Sequence, residues 1–246
     1  MFGIINSDKM YKLASTLFAI TYVMSLQAAE IKPLWELGIG MVGLNAPDYR
    51  GSQQQRNYLL PFPYLVYRGK RFKANRDGLR GLLYQSERVR LDISMDGAVP
   101  VNSDDNIIRH GMPNLNPMFE VGPSLKVLLA QNIAGMDKLN LILPLRTAFA
   151  TDFTQINHEG WLFHPQLGMN INTANNLNFG ITVGPLYADQ DYHDYYYGVA
   201  SQYATATRPT YTAKSGYSGT RLVMAVSWKL KHLQFGAFLR YDFFAL

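Results

Sequence analysis

Histidine is the side chain best suited to acid–base chemistry near neutral pH, so the histidines are the first residues to consider. The chain has five, at His110, His158, His164, His193 and His232. A serine hydrolase needs a serine and an acid to converge with one of them, and no Gly-x-Ser-x-Gly elbow is present. His164 falls on the polar face of a predicted strand, and His193 and Asp194 point apart on an extended loop. The sequence therefore predicts no catalytic residue and no enzyme activity.

Metal ligands are equally sparse. Asp104, Asp105 and Asn106 carry oxygen atoms in a row, but calcium takes about 6–8 oxygen ligands and no spaced acidic loop supplies them. We interpret this segment as an Asx-rich turn. The chain has no cysteine, which excludes thiolate metal sites and suits passage through an oxidising periplasm. The sequence predicts no metal and no cofactor.

The elements that must position these residues are strands. Residues 89–96 read Val-Arg-Leu-Asp-Ile-Ser-Met-Asp, and this two-residue period favours a strand over a helix. Similar alternation marks residues 35–41, 119–129, 139–149, 161–171, 177–183, 222–229 and 233–242. Less regular strands are predicted at residues 58–67, 70–76 and 79–84. With residues 89–98, the prediction is about 11 strands.

The two faces of these strands differ in polarity. Apolar side chains share one face, and charged side chains of both signs share the other. The charged face carries Glu36, Arg90, Asp92, Asp96, Glu120, Lys126, Arg146, Arg221, Lys229, Arg240 and Asp242. In a transmembrane barrel the apolar face meets lipid and the polar face lines the lumen. Such a lumen is either closed by a salt-bridge lattice or open to small solutes, and the sequence leaves both alternatives open.

The predicted fold class is all-β, an antiparallel transmembrane β-barrel of about 12 strands, of which about 11 are present. Because bacterial single-chain barrels have even strand numbers, we expect the chain to end one strand short. The alternative is a miscount, in which residues 203–212 form a strand or residues 70–84 form only one. A soluble β-sandwich also alternates, although its strands are usually shorter and its exterior more charged.

Prolines interrupt the predicted strands. They are Pro61, Pro63, Pro123, Pro144, Pro165 and Pro185. Each lacks the N–H group that a sheet ladder uses. We therefore expect these prolines to coincide with bulges or edges, where the ladder is broken.

The N-terminal segment has the layout of a cleaved signal peptide. An apolar run over residues 13–26 follows two lysines and precedes small residues. We predict a signal peptide over residues 1–28, cut after Ala28 or Ala29, and an outer-membrane barrel over residues 29–246. A buried core helix is the alternative for the apolar run.

Translation starts at Met1 or at Met10, since Asp8 is unusual in the positive region that opens a signal peptide. The formal net charge of +5 names no partner, and nothing resembles a nucleic-acid-binding module. The predicted location is the cell outer membrane of a Gram-negative bacterium.

Several motifs follow one another in a specific order. They are Pro47-Asp48-Tyr49-Arg50-Gly51-Ser52, Leu60-Pro61-Phe62-Pro63-Tyr64, Asp77-Gly78-Leu79-Arg80-Gly81, residues 100–106, Gly111-Met112-Pro113, Glu120-Val121-Gly122-Pro123-Ser124, residues 192–199 and residues 204–209. Together they resemble the MipA/OmpV family of outer-membrane proteins, over about residues 34–243. Members of that family usually continue past a segment like Arg240-Tyr241-Asp242 into a final strand.

The resemblance implies a non-enzymatic outer-membrane scaffold. Its partners would be outer-membrane lipid, a murein lytic transglycosylase and a bifunctional penicillin-binding protein, linked in peptidoglycan remodelling. Other members of the family are described as porin-like proteins, adhesins or immunogenic surface proteins. A channel for small solutes and a surface adhesin are therefore the alternatives.

Two sets of residues are candidate contact surfaces. Basic residues in the short turns are candidates for partner contact, or ordinary solvated residues: Arg68, Lys70, Arg71, Arg88, Lys229 and Lys231. The aromatic residues of a long outer loop form a recognition surface or pack that loop over the barrel mouth. They are Tyr192, His193, Tyr195, Tyr196 and Tyr197.

Overall fold

The computed structural model describes residues 35–68, 72–75, 78–133, 135–173, 176–230 and 234–244. The strands are β1 (Trp35–Pro47), β2 (Gln55–Arg68), β3 (Phe72–Asn75), β4 (Gly78–Gln85), β5 (Val89–Ala98), β6 (Met118–Ile133), β7 (Met136–Thr151), β8 (Ile156–Phe163), β9 (Gln166–Asn172), β10 (Leu177–Ala188), β11 (Gly216–Lys229) and β12 (Gln234–Phe243). Helix α1 (Gln190–Tyr197) follows β10, and 3-10 turns cover Ser103–Asp105 and Ser201–Tyr203. The all-β prediction is confirmed. The predicted signal peptide over residues 1–28 lies outside the described residues.

The strands form one antiparallel sheet in which consecutive strands are neighbours. β8 and β9 are the exception, since both pair with β7 and both pair with β10. The predicted strand over residues 161–171 is therefore two strands that share one position in the sheet. In the described part of the chain, no ladder joins β1 to β12.

The two alternatives for the strand count are wrong. β3 and β4 are separate strands that pair with each other, so residues 70–84 do not form a single strand. Residues 203–212, all of which are described, hold no strand; Tyr211 makes an isolated bridge to Val199.

Burial along the strands is the reverse of that in a soluble sheet. On β6, Glu120 is 8 % exposed and Leu129 is 47 % exposed. On β11, Arg221 is 9 % exposed and Trp228 is 45 % exposed. In water, burying apolar surface contributes about 25 cal/mol of stability per Å², and exposed apolar surface lacks that contribution. In a membrane, lipid solvates the exposed apolar surface instead. This distribution opposes the soluble sandwich and agrees with an apolar face directed at lipid.

Four strand prolines lie at one level across adjacent strands, and we call them the proline belt: Pro123, Pro144, Pro165 and Pro185. The β6–β7 ladder has no pair between Val121↔Thr147 and Ser124↔Pro144. At the same level, Pro165 lies in the break between β8 and β9. Pro185 lies between the part of β10 that pairs with β9 and the part that pairs with β8. The predicted interruption of the ladder is confirmed here.

The remaining two prolines lie on a sparsely paired strand. Pro61 and Pro63 pair in register with β1, whereas the ladder from β2 to β3 covers only Tyr67 and Arg68. Most of β2 therefore has one ladder partner among the described residues, which makes it an edge where a missing N–H is tolerated.

The apolar core lies at one end of the sheet, beneath α1. Its buried members are Val101, Leu115, Met118, Ala148, Leu162, Leu186, Ala188, Tyr192 and Tyr196. The Asp189 carboxylate caps α1 by accepting from the Tyr192 N–H at 3.1 Å. Gly160 on β8 permits this approach, because a Cβ there would lie 2.2 Å from Asp189 Oδ1 and 2.6 Å from the Tyr192 nitrogen. No helix among the described residues has the length and apolar character needed to cross a bilayer.

Candidate functional site

Three long loops interlock over the end of the sheet that holds the apolar core. They comprise residues 48–54 after β1, residues 99–117 after β5 and residues 189–215 after β10, and we call them the loop cluster. Most of the sequence motifs lie in these loops. The motifs therefore contact one another, which the sequence alone did not indicate.

Asp48 joins the first loop to the second. It is 5 % exposed, and its carboxylate accepts from Arg56 Nε at 2.7 Å and from Asn106 Nδ2 at 2.7 Å. Asn106 is 1 % exposed, and Arg56 also contacts Asp105 at 3.2 Å. A buried carboxylate is stable only when it is paired, so these bonds fix the two loops together.

Arg109 contacts all three loops. Its Nη1 donates to the Tyr196 carbonyl at 2.8 Å, its Nε to Ser103 Oγ at 3.2 Å and its Nη2 to the Pro113 carbonyl at 3.1 Å. The guanidinium also lies 5.8 Å from the ring centroid of Tyr49. Burial lowers the pKa of Arg109, because the apolar surroundings disfavour the charged form.

The tyrosines of α1 point into the protein. The Tyr192 hydroxyl donates to Glu120 Oε1 at 3.2 Å, and the Tyr195 hydroxyl donates to the Asn116 carbonyl at 3.0 Å. The Tyr196 hydroxyl donates to Met118 Sδ at 3.3 Å, and the Tyr197 hydroxyl donates to the Arg50 carbonyl at 3.0 Å. Burial raises the pKa of Tyr195 to about 12 and also raises the pKa of Tyr196. These are the contacts of a packed loop. A recognition role for the five aromatic residues stays a prediction, with little side-chain surface to support it.

The histidines and acids of the loop cluster serve its packing. His193 Nδ1 lies 2.6 Å from the Lys214 carbonyl, whereas Asp194 Oδ1 accepts from the Ala213 N–H at 2.6 Å. The two residues thus have separate partners. The predicted Asx-rich turn is confirmed, since Asn106 Oδ1 accepts from the Ile108 N–H at 3.2 Å. In the described ranges, no group of three or more His, Cys, Asp or Glu is placed to hold a metal ion.

Charged side chains of the strands and of Arg50 in the first loop meet below the loop cluster. We call them the interior network: Arg50, Asp96, Glu120, Arg146, Arg221, Arg240 and Asp242. Arg146 Nη1 contacts Asp96 at 3.1 Å and Glu120 at 2.9 Å. Arg221 contacts Asp242 at 2.8 Å and lies 3.9 Å from Asp96. β5 and β11 are not neighbours in the sheet. This last contact therefore crosses the concave side, so the sheet is strongly curled.

The interior network is continuous with the loop cluster. Tyr192 donates a hydrogen bond to Glu120, and Arg50, which belongs to the first loop, contacts Asp242 at 3.4 Å. Arg50 and Asp242 belong to the first loop and to β12, so side chains bring together the ends of β1 and β12 that lie at the loop cluster.

Some of the residues that were predicted to line the lumen lie together in the structure. Glu120, Arg146, Arg221 and Arg240 lie in the interior network, whereas Arg90 and Asp92 pair with each other at 2.9 Å. The side chain of Glu36 lies outside the described residues. Sequence reasoning did not single out Asp48, Arg50 or Arg109, and it considered Asn106 only as part of an Asx-rich turn. Asp48 and Arg50 lie within a motif segment, while nothing marked Arg109.

The basic turn residues are described incompletely. Arg88 is exposed, directly before β5. Arg68 and Lys229 are described by their backbone positions at the ends of β2 and β11. Lys70, Arg71 and Lys231 lie outside the described residues, so their contact role stays a prediction.

Comparison with known families identifies this chain. The model of the family described as MltA-interacting protein MipA matches residues 39–245, so the chain belongs to that family. Membership supports, in general terms, an outer-membrane protein of scaffold type. No curated protein and no solved structure shows significant similarity to the chain.

Proposed function

We propose that this member of the MltA-interacting protein family is an outer-membrane β-barrel that acts as a scaffold for a murein lytic transglycosylase. The observation that carries the proposal is the family match over residues 39–245, because the name of the family states an interaction with MltA. By resemblance, a bifunctional penicillin-binding protein is the second partner and peptidoglycan remodelling is the process served.

The membrane half of the proposal is supported by the burial pattern. Large apolar side chains such as Leu145 and Trp161 are 43 % and 49 % exposed, while the charged side chains face the interior. A curled antiparallel sheet with this polarity fits a bilayer, in which every exposed side chain must tolerate hydrocarbon. A cleaved signal peptide over residues 1–28 would deliver the chain to that membrane.

The partner surface is assigned to the end of the sheet opposite the loop cluster. The cluster directs Asp48, Asn106 and Arg109 to internal contacts, and all three are buried. Peptidoglycan enzymes work in the periplasm, and short turns face the periplasm in outer-membrane barrels. We therefore propose that the basic turns near residues 68–71, 86–88 and 229–232 contact acidic surfaces of the enzymes.

The test is cross-linking in cells, followed by recovery of the tagged full chain from solubilised envelopes and identification of the proteins that accompany it. We expect a lytic transglycosylase above the amount recovered with an unrelated barrel of similar abundance. Arg88→Glu should reduce that recovery several-fold, because a charge at the rim of an interface affects association.

Lys214→Glu is the matched control, since it makes the same charge change on an exposed side chain of the loop cluster. It should leave recovery unchanged. Equal recovery with Arg88→Glu and the unchanged chain would move the contact away from this turn. Absence of any transglycosylase from a normally abundant, membrane-located protein would refute the scaffold proposal itself.

A further inference from the structure

A cavity of ≈ 260 Å³ lies on the concave side of the sheet, next to the interior network. Its lining includes Asp96, Arg146, His164, Gln166, Arg221 and Arg240. These residues come from β5, β7, β9, β11, β12 and the break between β8 and β9. Sites for drug-sized ligands are usually about 300–1,000 Å³, so a smaller ligand is expected here.

Among the described side chains, the charges around the cavity do not cancel. The interior network contains four guanidinium groups, on Arg50, Arg146, Arg221 and Arg240, and three carboxylates, on Asp96, Glu120 and Asp242. These seven side chains therefore carry one excess positive charge. The protein interior hydrates this excess charge only in part, and an anion in the cavity would balance it.

Arg240 has hydrogen-bonding capacity to spare. Its Nε contacts Asp242 at 3.3 Å, and among the described residues its terminal nitrogens have no hydrogen-bond acceptor. The side chain is 35 % exposed, and that of Asp96 is 39 % exposed, so solvent reaches this part of the interior. A guanidinium presents its free N–H groups as a planar fork that matches a carboxylate or a phosphate.

His164 provides an independent indication of a ligand. The residue is 5 % exposed, and its Nε2 is buried without a hydrogen-bond partner among the described residues. Its Nδ1 lies 2.9 Å from Gln166 Nε2. With the amide nitrogen as donor, Nδ1 accepts and the ring proton lies on Nε2. His164 lines the cavity, so this ring N–H is a polar group of the cavity wall that has no acceptor of good geometry among the described residues.

We propose that this cavity binds a small oxyanion, a carboxylate or a phosphate, through the guanidinium groups of Arg146, Arg221 and Arg240 and the Nε2–H of His164. The anion would balance the excess charge and satisfy the histidine. This site is independent of the proposed partner surface, which lies at the turns, so each proposal can fail while the other holds.

The test uses the full chain folded in detergent micelles and titrated with inorganic phosphate or with acetate. Binding is followed by calorimetry at a constant ionic strength set with sodium chloride, which isolates binding from general screening. We expect saturable one-to-one binding of at least one of the two anions. Comparing phosphate with acetate distinguishes a tetrahedral ligand from a planar one.

Arg240→Gln removes the excess charge and should weaken the affinity at least about tenfold, the effect of one charge-assisted hydrogen bond. His164→Leu removes the unpaired donor and provides a second test if Arg240→Gln fails to fold. Arg88→Gln is the matched control, because it neutralises an exposed arginine outside the cavity. Absence of saturable binding of either anion would overturn the proposal, as would equal affinities in Arg240→Gln and Arg88→Gln.

Discussion

The two ends of the sheet are built in opposite ways. At the loop-cluster end, long loops bury polar residues such as Asp48, Asn106 and Arg109 and join distant parts of the chain. At the other end, the turn before β5 is closed by local bonds, such as the Ser86 N–H to the Val89 carbonyl at 2.7 Å, and leaves Arg88 exposed. Buried polar groups that bond each other specify a structure, whereas exposed charges remain free to meet a partner.

The largest expected effect is the loss of the loop cluster when α1 cannot approach β8. Gly160→Ala should lower the free energy of unfolding by about 4 kcal/mol, because the added Cβ meets Asp189 and Tyr192 and the φ of +109° is strained for alanine. Urea titration of the detergent-folded protein measures this change.

Gly111→Ala separates backbone strain from the steric clash. Gly111 also has a positive φ, +76°, but nothing lies within 4 Å of its added Cβ. Gly111→Ala should lower the free energy of unfolding by about 1 kcal/mol, the effect of backbone strain alone. Equal costs for the two variants would show that the contact between α1 and β8 contributes little.

A smaller effect should distinguish the arginines of the two ends. Arg109→Met keeps much of the side-chain length but leaves the Tyr196 and Pro113 carbonyls and Ser103 without their donor, which should cost about 2–3 kcal/mol. Arg88→Met changes an exposed arginine and should stay within about 0.5 kcal/mol. The same urea titration compares them. Similar losses for both would remove the distinction between the two ends.

The smallest effect is a dependence of stability on alkaline pH. The folded-state pKa of Tyr195 is raised to about 12, above its ordinary value near 10, so the folded chain holds this proton more tightly than the unfolded chain does. The stability from Tyr195 is present below about pH 10 and falls as the pH rises towards 12. Urea titrations between pH 9 and 12 measure this loss.

Tyr195→Phe should flatten that fall, because the titrating hydroxyl is gone. Tyr211→Phe is the control, since Tyr211 is 54 % exposed. An unchanged pH profile in Tyr195→Phe would contradict the assignment.

The alternation of polar and apolar residues was sufficient to predict most of the strands, because that pattern is local. The strands between residues 58 and 84 show it less regularly. The alternation also predicted the charged face that contains Glu120, Arg146, Arg221 and Arg240. The break at Pro165 was expected as an interruption of the ladder, but not as a division of one strand into two. Proline removes a backbone N–H donor wherever it occurs, but whether the ladder then bends or divides into two strands depends on the neighbouring strands.

The loop cluster was beyond sequence reasoning because its contacts are distant along the chain. Arg109 bonds Tyr196 across 87 residues, and Arg50 meets Asp242 across 192 residues. Helix α1 was missed for a different reason. Its tyrosines, aspartates and histidine are poor helix formers, and packing overrides that preference. The signal that marks it is the pair of flanking residues, Asp189 as N-cap and Gly198 as C-cap.

The proline belt has a consequence for how the strands find their register. Sliding a strand by one residue would turn its apolar face inward, but sliding it by two would leave both faces correct. A two-residue slip would, however, move Pro123 or Pro185 out of the existing gap and against a neighbouring strand whose carbonyl needs an N–H donor. The aligned prolines thus favour one register of the strands from β6 to β10, because the alternation of polar and apolar residues does not distinguish registers that differ by two residues.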